Sequence, residues 1–305
     1  MNQDYILSIS CPDRVGLVHD VTTFFKNHGH NIVELDQYVD RHQSRFFMRI
    51  AFTVEGITPE NPPVKQVKNM ISEGGPVSPG VADPLTSLRT FMDGLNNGTE
   101  WELHSTDARV RTAIFVTKES HCLLDILSRS IDGELNVDIP VIISNHEELR
   151  YIADRFEIPF EYIPMTKENK ALAEARQLEI LKAYQVDLVI LAKYMQILSP
   201  KFIQAYRNQI INIHHSFLPA FPGSRPYHSA YYRGVKIIGA TSHFVTEELD
   251  AGPIIEQDVI RIKHSDSIED LKRKGKEVEK NVLSRAIWNY TNRRILAYGN
   301  KTIIL

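Results

Sequence analysis

The 305-residue chain is 43% hydrophobic and 24% charged, with a formal net charge of -3. This is the composition of a soluble globular protein; no apolar run approaches a membrane span, and without a basic field nucleic acid is not expected as a partner. Two cysteines, Cys11 and Cys122, cannot build a disulfide framework and lack the spacing of a zinc site, so reduced thiols and no metal are expected.

The opening Met1-Asn2-Gln3-Asp4 enters a strand pattern without a basic, apolar and cleavable leader, which makes the cytoplasm the expected compartment. Residues 5–11 read as a strand, Pro12 to Gly16 as a turn, and Leu17 to His28 as an amphipathic helix. Two further strand patterns, Ile32 to Val39 and Arg45 to Val54, flank a polar tip and predict a hairpin. Prolines and glycines punctuate an irregular insertion over 56–82, with a short helix near Val67 to Ile71. A helix from Pro84 to Leu95 and a strand near Trp101 to Ser105 complete a βαββαβ order, a ferredoxin-like α+β domain ending near residue 108.

From Arg109 the chain alternates. Strands are expected at 111–116, 137–144, 160–163, 188–191 and 210–214, and helices at 122–130, 146–156 and 167–184. Alternation of this kind predicts an α/β domain with a doubly wound, mainly parallel sheet over 109–305, whose site lies beyond the carboxyl ends of its strands. Both Lys193-Tyr194-Met195 and Asn212-Ile213-His214 fall at such ends. The charged run Glu269 to Lys280 reads as a solvated helix face.

Asn212 and His214, two apart on a strand, leave by one face, and Asp250 comes from a turn ending Asp-Ala-Gly-Pro. An amide and an imidazolium can stabilise the oxyanion of an attacked acyl carbon, while a carboxylate orients the imidazole and accepts a proton from water. The blander reading makes them a turn residue, a core histidine and a turn acid. His215 and Ser216 face opposite sides of a strand and no Gly-x-Ser-x-Gly elbow occurs in the carboxyl-terminal half, which argues against a serine hydrolase. His243 either lines the cleft or supports it. Neither nucleotide-binding glycine motif follows the first strand of the second half.

Three segments, Leu191 to Pro200, Asn212 to Pro219 and His243 to Pro253, together resemble the folate-dependent formyltransferase family over about residues 109 to 295. The resemblance implies that Asn212, His214 and Asp250 act on the formyl group of 10-formyltetrahydrofolate. It also implies a pterin pocket lined by Met195, Gln196, Ile197 and Leu198 and by the loop from Val245 through Thr246 and Glu247 to Asp250. Leu191, Tyr194, Ile197, Leu198 and Val245 would be its apolar walls, with His243 beside them.

The amino-terminal segment resembles an ACT domain through Asp13-Arg14-Val15-Gly16-Leu17 and Asn31-Ile32. An amino-acid effector between the Gly16 turn and Asn31 is implied, with Asp13, Leu17 and Ile32 in the same motif, often at an interface between paired copies. The insertion departs from that pattern. Glycinamide ribonucleotide formyltransferases hold a phosphate on a Gly-Ser-Asn-type loop where this chain has Thr117 to Cys122. Water is therefore the expected acceptor, giving formate and tetrahydrofolate, with folate as substrate and no cofactor. Transfer to an amine and a catalytically inert ACT-type regulator are the alternatives. Formate can enter purine synthesis, so pathway logic within one-carbon metabolism suggests glycine or methionine as effector, and edge pairing of the small sheet suggests a homo-oligomer.

Overall fold

A computed structural model describes residues 3–54, 85–95, 98–219 and 226–305. The expected insertion at 56–82 and its short helix lie outside the described residues. The chain divides into two compact units, Met1–Ala108 and Arg109–Ile304.

The first unit runs β1 (Gln3–Pro12), α1 (Leu17–Asn27), β2 (Asn31–Asp40), β3 (Arg45–Val54), α2 (Thr86–Gly94) and β4 (Glu100–Ser105). Its antiparallel sheet has the order β2-β3-β1-β4. Alternate residues of the two central strands, Leu7, Ile9 and Cys11 with Met48, Ile50 and Phe52, bury against Val21 and Phe25 of α1 and Leu88 and Met92 of α2. Period two on the strands and a three-to-four period on the helices thus meet in one core, each large side chain stabilising it by about 1.5–3 kcal/mol.

The second unit runs β5 (Val110–Val116), α3 (His121–Ile131), β6 (Val137–Ser144), α4 (Arg150–Arg155), β7 (Phe160–Tyr162), α5 (Lys170–Ala183), β8 (Leu188–Leu191), α6 (Pro200–Ala205) and β9 (Ile210–His214). Then come α7 (Pro226–Arg233), β10 (Ile237–Phe244), β11 (Ile254–Arg261), α8 (Ile268–Thr291) and the hairpin β12 (Ile295–Tyr298) and β13 (Lys301–Ile304). Seven strands form the sheet β11-β10-β9-β8-β5-β6-β7, parallel from β9 to β7, with β10 and β11 antiparallel at one side. Continuous apolar runs such as Ala113–Val116 suit parallel strands covered on both faces. Ile114, Ile190 and Ile211 pack with α3, α4 and α8 on one face. Phe115, Val189 and Leu191 pack with α5 and α6 on the other. Strand order reverses between β5 and β8, so the ends of these strands open the crevice where doubly wound sheets place ligands.

Two helices are shorter than their patterns. The Ser144 hydroxyl accepts the His146 N–H and the Glu147 carbonyl the Arg150 N–H, a turn that delays α4 to Arg150. Thr166 and Asn169 bond each other's backbone N–H groups reciprocally at 2.7 and 3.3 Å and hold α5 back to Lys170. In both places short polar side chains compete with the helix for backbone groups.

A third departure is a correction. The run Glu269 to Lys280 is not solvated throughout, because α8 carries Leu271, Gly275, Glu279, Leu283 and Ile287 at four-residue spacing and all five are buried. A 3.6-residue period turns that stripe toward the sheet, Glu279 included.

Candidate active site

Asn212 and His214 stand on β9, and the antiparallel register with β10 puts His243 opposite Asn212 and Thr241 opposite His214. On the other side Leu191 of β8 pairs with Asn212. Asp250 reaches the same face from the turn between β10 and β11, its backbone at φ 56°. The turn lies close on β10: Phe244 N–H donates to the Pro253 carbonyl at 2.9 Å, and a Cβ on Gly252 would stand 1.8 Å from the Phe244 carbonyl oxygen. Only a residue without a side chain allows that approach.

His214 and Asp250 meet directly, and Asn212 joins them through His243. His214 Nδ1 lies 3.3 Å from one Asp250 carboxylate oxygen, and His243 Nε2 lies 3.7 Å from the other. His243 Nδ1 donates to the Phe244 carbonyl at 2.9 Å, and its Nε2, facing Asp250, lies 3.2 Å from the Asn212 amide nitrogen. These contacts, the His214 hydrogen bond foremost and the His243 hydrogen bond second, hold the Asp250 carboxyl far below the usual carboxylate range against the opposing effect of burial. The acid is therefore ionised throughout the neutral range. His214 Nε2 is buried and finds no partner among the described residues. A polar atom left in that condition costs stability unless a ligand meets it.

Tyr194 and Leu198 are buried, whereas Met195 and Ile197 are exposed apolar side chains on the same loop. Sequence reasoning missed what holds this loop. The Met195 N–H donates to Thr117 Oγ1 at 3.0 Å, and Thr117 donates to the Asn145 side chain at 2.9 Å. Buried Gln177 of α5 donates to the Tyr194 hydroxyl at 3.0 Å, and buried Glu174 accepts the Ser199 N–H at 2.9 Å. Burial pushes the Tyr194 hydroxyl up to about 12, so it stays neutral. Two polar residues on the inward face of α5 were the signal. Gln196 is half-buried, as are Thr246 and Val245; Val245 packs against the core beneath the loop. Glu247 is exposed and accepts from Gln204 at 2.9 Å.

In the first unit Asp13 donates its N–H to the Ser44 carbonyl at 2.8 Å, Gly16 caps α1 at φ 90°, and Leu17 is buried in the core. Asn31, exposed, begins β2, and the half-buried Ile32 packs against the core. The register sets Asn31 and Asp4 against the same β3 residue, Thr53, whereas Asp13 follows the far end of β1. At about 3.3 Å per residue the two halves of the effector motif lie about 30 Å apart, so one copy does not bring them together. A groove of about 480 Å³ between α1 and α2, lined by Arg14, His19, Asp20, Thr23, Thr90 and Phe91, adjoins the Asp13–Gly16 turn.

Comparison with known proteins gives the family. Residues 110–287 match the formyl transferase family and residues 5–67 the ACT domain. The formyltetrahydrofolate deformylase of Synechocystis sp. is 44% identical over 298 residues, covering 98% of this chain and 97% of that protein. The protein of that name in Escherichia coli K12 is 43% identical, covering 99% of each. Among solved structures, a formyltetrahydrofolate deformylase from Pseudomonas syringae superposes with a TM-score of 0.86 at 39% identity, covering 100% of this chain and 95% of that one. Fold and site together define a formyl transferase domain preceded by an ACT domain. Within that class, the chain belongs to the formyltetrahydrofolate deformylase family.

Proposed function

We propose that the protein hydrolyses 10-formyltetrahydrofolate to formate and tetrahydrofolate at the centre formed by Asn212, His214 and Asp250. Asp250 accepts the proton of a water whose oxygen attacks the formyl carbon. Asn212 and His214 donate to the oxyanion of the tetrahedral intermediate, where a positioned donor is worth about 10²–10³ in rate. The bond to the N10 amine then breaks, and a proton returns to that nitrogen as formate leaves. Leu191, Tyr194, Met195, Gln196, Ile197, Leu198, Val245, Thr246 and Glu247 make the pterin side of the cleft, and His243 holds Asn212 and Asp250 in place.

The observation that carries this reading is the convergence of His214 Nδ1 and His243 Nε2 on Asp250 while His214 Nε2 finds no partner among the described residues. The test is formate release from 10-formyltetrahydrofolate by the purified chain with no other acceptor present. Turnover in water supports the reading; release that requires an added amine overturns it.

Regulation belongs to the same proposal. A ligand that touches both the Gly16 turn and Asn31 needs two copies, since about 30 Å separates them in one; this supports a homo-oligomer paired through the ACT domains and an amino-acid effector, glycine or methionine, for a cytoplasmic enzyme that balances one-carbon units for purine synthesis. Calorimetry on the full chain that detects neither amino acid would remove the effector. No helix among the described residues is long and apolar enough to cross a membrane.

A further inference from the structure

Helix α5 turns two polar side chains inward: Glu174 and Gln177, three residues apart and so on one face, are 4% and 0% exposed. The layer around them is apolar, with Ala173, Ile180 and Leu181 of the same helix. The Gln177 amide donates to the Tyr194 hydroxyl at 3.0 Å. One Glu174 oxygen accepts the Ser199 N–H at 2.9 Å and has Lys170 Nζ 3.9 Å away. These two bonds grip the loop 194–199 at its first and last residues, and between them Thr117 Oγ1 accepts the Met195 N–H at 3.0 Å. The Tyr194 ring packs edge-on against Phe115 with centroids 5.2 Å apart, and the Ser199 hydroxyl caps α6 by accepting the Phe202 N–H at 3.3 Å.

A core gains nothing from these groups that apolar residues would not give it. Gln177 Oε1 is buried and finds no partner among the described residues, so the side chain carries a desolvation cost that a leucine would avoid. A buried carboxylate whose partners among the described residues are one backbone N–H and a lysine at the limit of contact is a poor stabiliser too. What the bonds do is fix a shape. Met195 and Ile197 are 57% and 60% exposed, and a loop free to move would fold such apolar side chains onto the core beneath it. Anchors at Tyr194, Met195 and Ser199 prevent that collapse. A surface held ready in this way spares its ligand the entropy of ordering it, and the saving appears as affinity.

We propose that Gln177 and Glu174 are positioning residues for folate recognition: from the buried face of α5 they hold the 194–199 loop, before the ligand arrives, in the shape that receives the pterin. Gln177 acts through the Tyr194 hydroxyl and Glu174 through the start of α6, and neither touches the reacting atoms. Their loss therefore weakens binding and leaves the rate of the bound complex nearly as it was. The proposal rests on the reading of that loop as the pterin side of the cleft.

The test compares the full-length chain with Gln177→Leu, Tyr194→Phe, the two combined, Glu174→Leu and the conservative Glu174→Gln, all well below their thermal midpoints. Calorimetry gives Kd for tetrahydrofolate, and formate release gives KM and kcat. Gln177→Leu and Tyr194→Phe should each raise Kd and KM about fivefold to tenfold, with kcat within about twofold, as one lost neutral hydrogen bond predicts. Combined, they should do no more than either alone, since both remove the same bond. Glu174→Leu should raise Kd and KM by about tenfold or more, and Glu174→Gln, which keeps an oxygen for the Ser199 N–H, should recover most of that loss. Wild-type Kd in Gln177→Leu and Glu174→Leu, a loss confined to kcat, or additive effects in the double variant would each overturn the proposal. So would variants that lose stability and keep their affinity, the result a structural role alone predicts, or a wild-type chain that binds no tetrahydrofolate. Formate release by wild type without an acceptor is scored separately: if it fails while the pattern in Kd holds, the hydrolytic reading falls and the positioning role stands.

Discussion

Asp250 and Glu279 are both ionised, and both bond to histidine, yet they sit in opposite circumstances. Asp250 rides a turn in a left-handed backbone conformation, is about one-fifth exposed, and binds two imidazoles, one of which keeps a buried nitrogen without a partner among the described residues. Glu279 stands in the middle of a 24-residue helix, almost wholly enclosed, and three donors use both of its oxygens. Burial opposes ionisation at each site, and in each the hydrogen-bonded and charged neighbours win. What separates them is access, since the Asp250 side chain is about one-fifth exposed and Glu279 is 1% exposed. A carboxylate that a ligand can reach can act on a substrate; one enclosed by its donors can only hold a shape or a charge.

The largest expected effect is at the open site. Asp250→Asn should lower formate release by about 10²-fold or more, because a positioned base is removed while the shape is kept. Near-normal turnover would assign the proton to another group. Stability gives a second reading of the same variant. The folded carboxyl titrates below its unfolded value of about 3.9, so its contribution is present above that value and is lost as pH falls toward the folded one. Urea midpoints of wild type and Asp250→Asn should differ at neutral pH and converge below about pH 4. A gap that stayed constant with pH would detach the shift from the His214 and His243 contacts.

Gly252→Ala should come next, since it leaves Asn212, His214 and Asp250 in the chain and moves only one of them. The new methyl would collide with the Phe244 carbonyl, so the turn must lift and carry Asp250 away from His214. Overpacking of this kind costs about 1–3 kcal/mol, and a displacement of about 1 Å in a reacting group can cost up to 10²-fold. Unchanged formate release together with an unchanged midpoint would show that the turn has slack the close contact denies.

The contrast between the sites also explains how much could be read from sequence. Asn212, His214 and Asp250 were legible because two share a strand face and the third stands in a turn marked by Gly252 and Pro253; period and turn chemistry are local signals. The βαββαβ order and the alternating second half were legible for the same reason. Glu279, His121, Lys193 and Tyr227 come from four elements, and nothing local joins them. The run around Glu279 was read by its charge content, although the four-residue spacing from Leu271 to Ile287 already turned that residue inward. The brief helix α6 also carried a sign, Ser199 before Pro200, where the serine hydroxyl accepts the Phe202 N–H. Glu174 and Gln177 fix the loop from Tyr194 to Ser199 through partners 25 and 17 residues away, a relation that only the folded chain supplies.

The smallest effect is at the closed site, where its sign is the informative part. In an exposed helix interior Gly→Ala stabilises by about 1 kcal/mol through propensity alone. At Gly275 the new Cβ would press on the Tyr227 hydroxyl and ring, with contacts of 2.1–2.6 Å, so the tyrosine must withdraw from Glu279. A hydrogen bond to a charged group is worth about 1.5–3 kcal/mol, which exceeds the gain in propensity, so Gly275→Ala should lower the urea midpoint. The same change made in a Tyr227→Ala background no longer meets the tyrosine ring and should raise it. A double-mutant cycle in which Gly275→Ala stabilises both backgrounds equally would mean that Tyr227 is not seated by the missing side chain. Inversion of sign between the backgrounds would tie the glycine, the tyrosine and the enclosed carboxylate into one unit, and nothing comparable should appear when Gly275→Ala is crossed with Asp250→Asn.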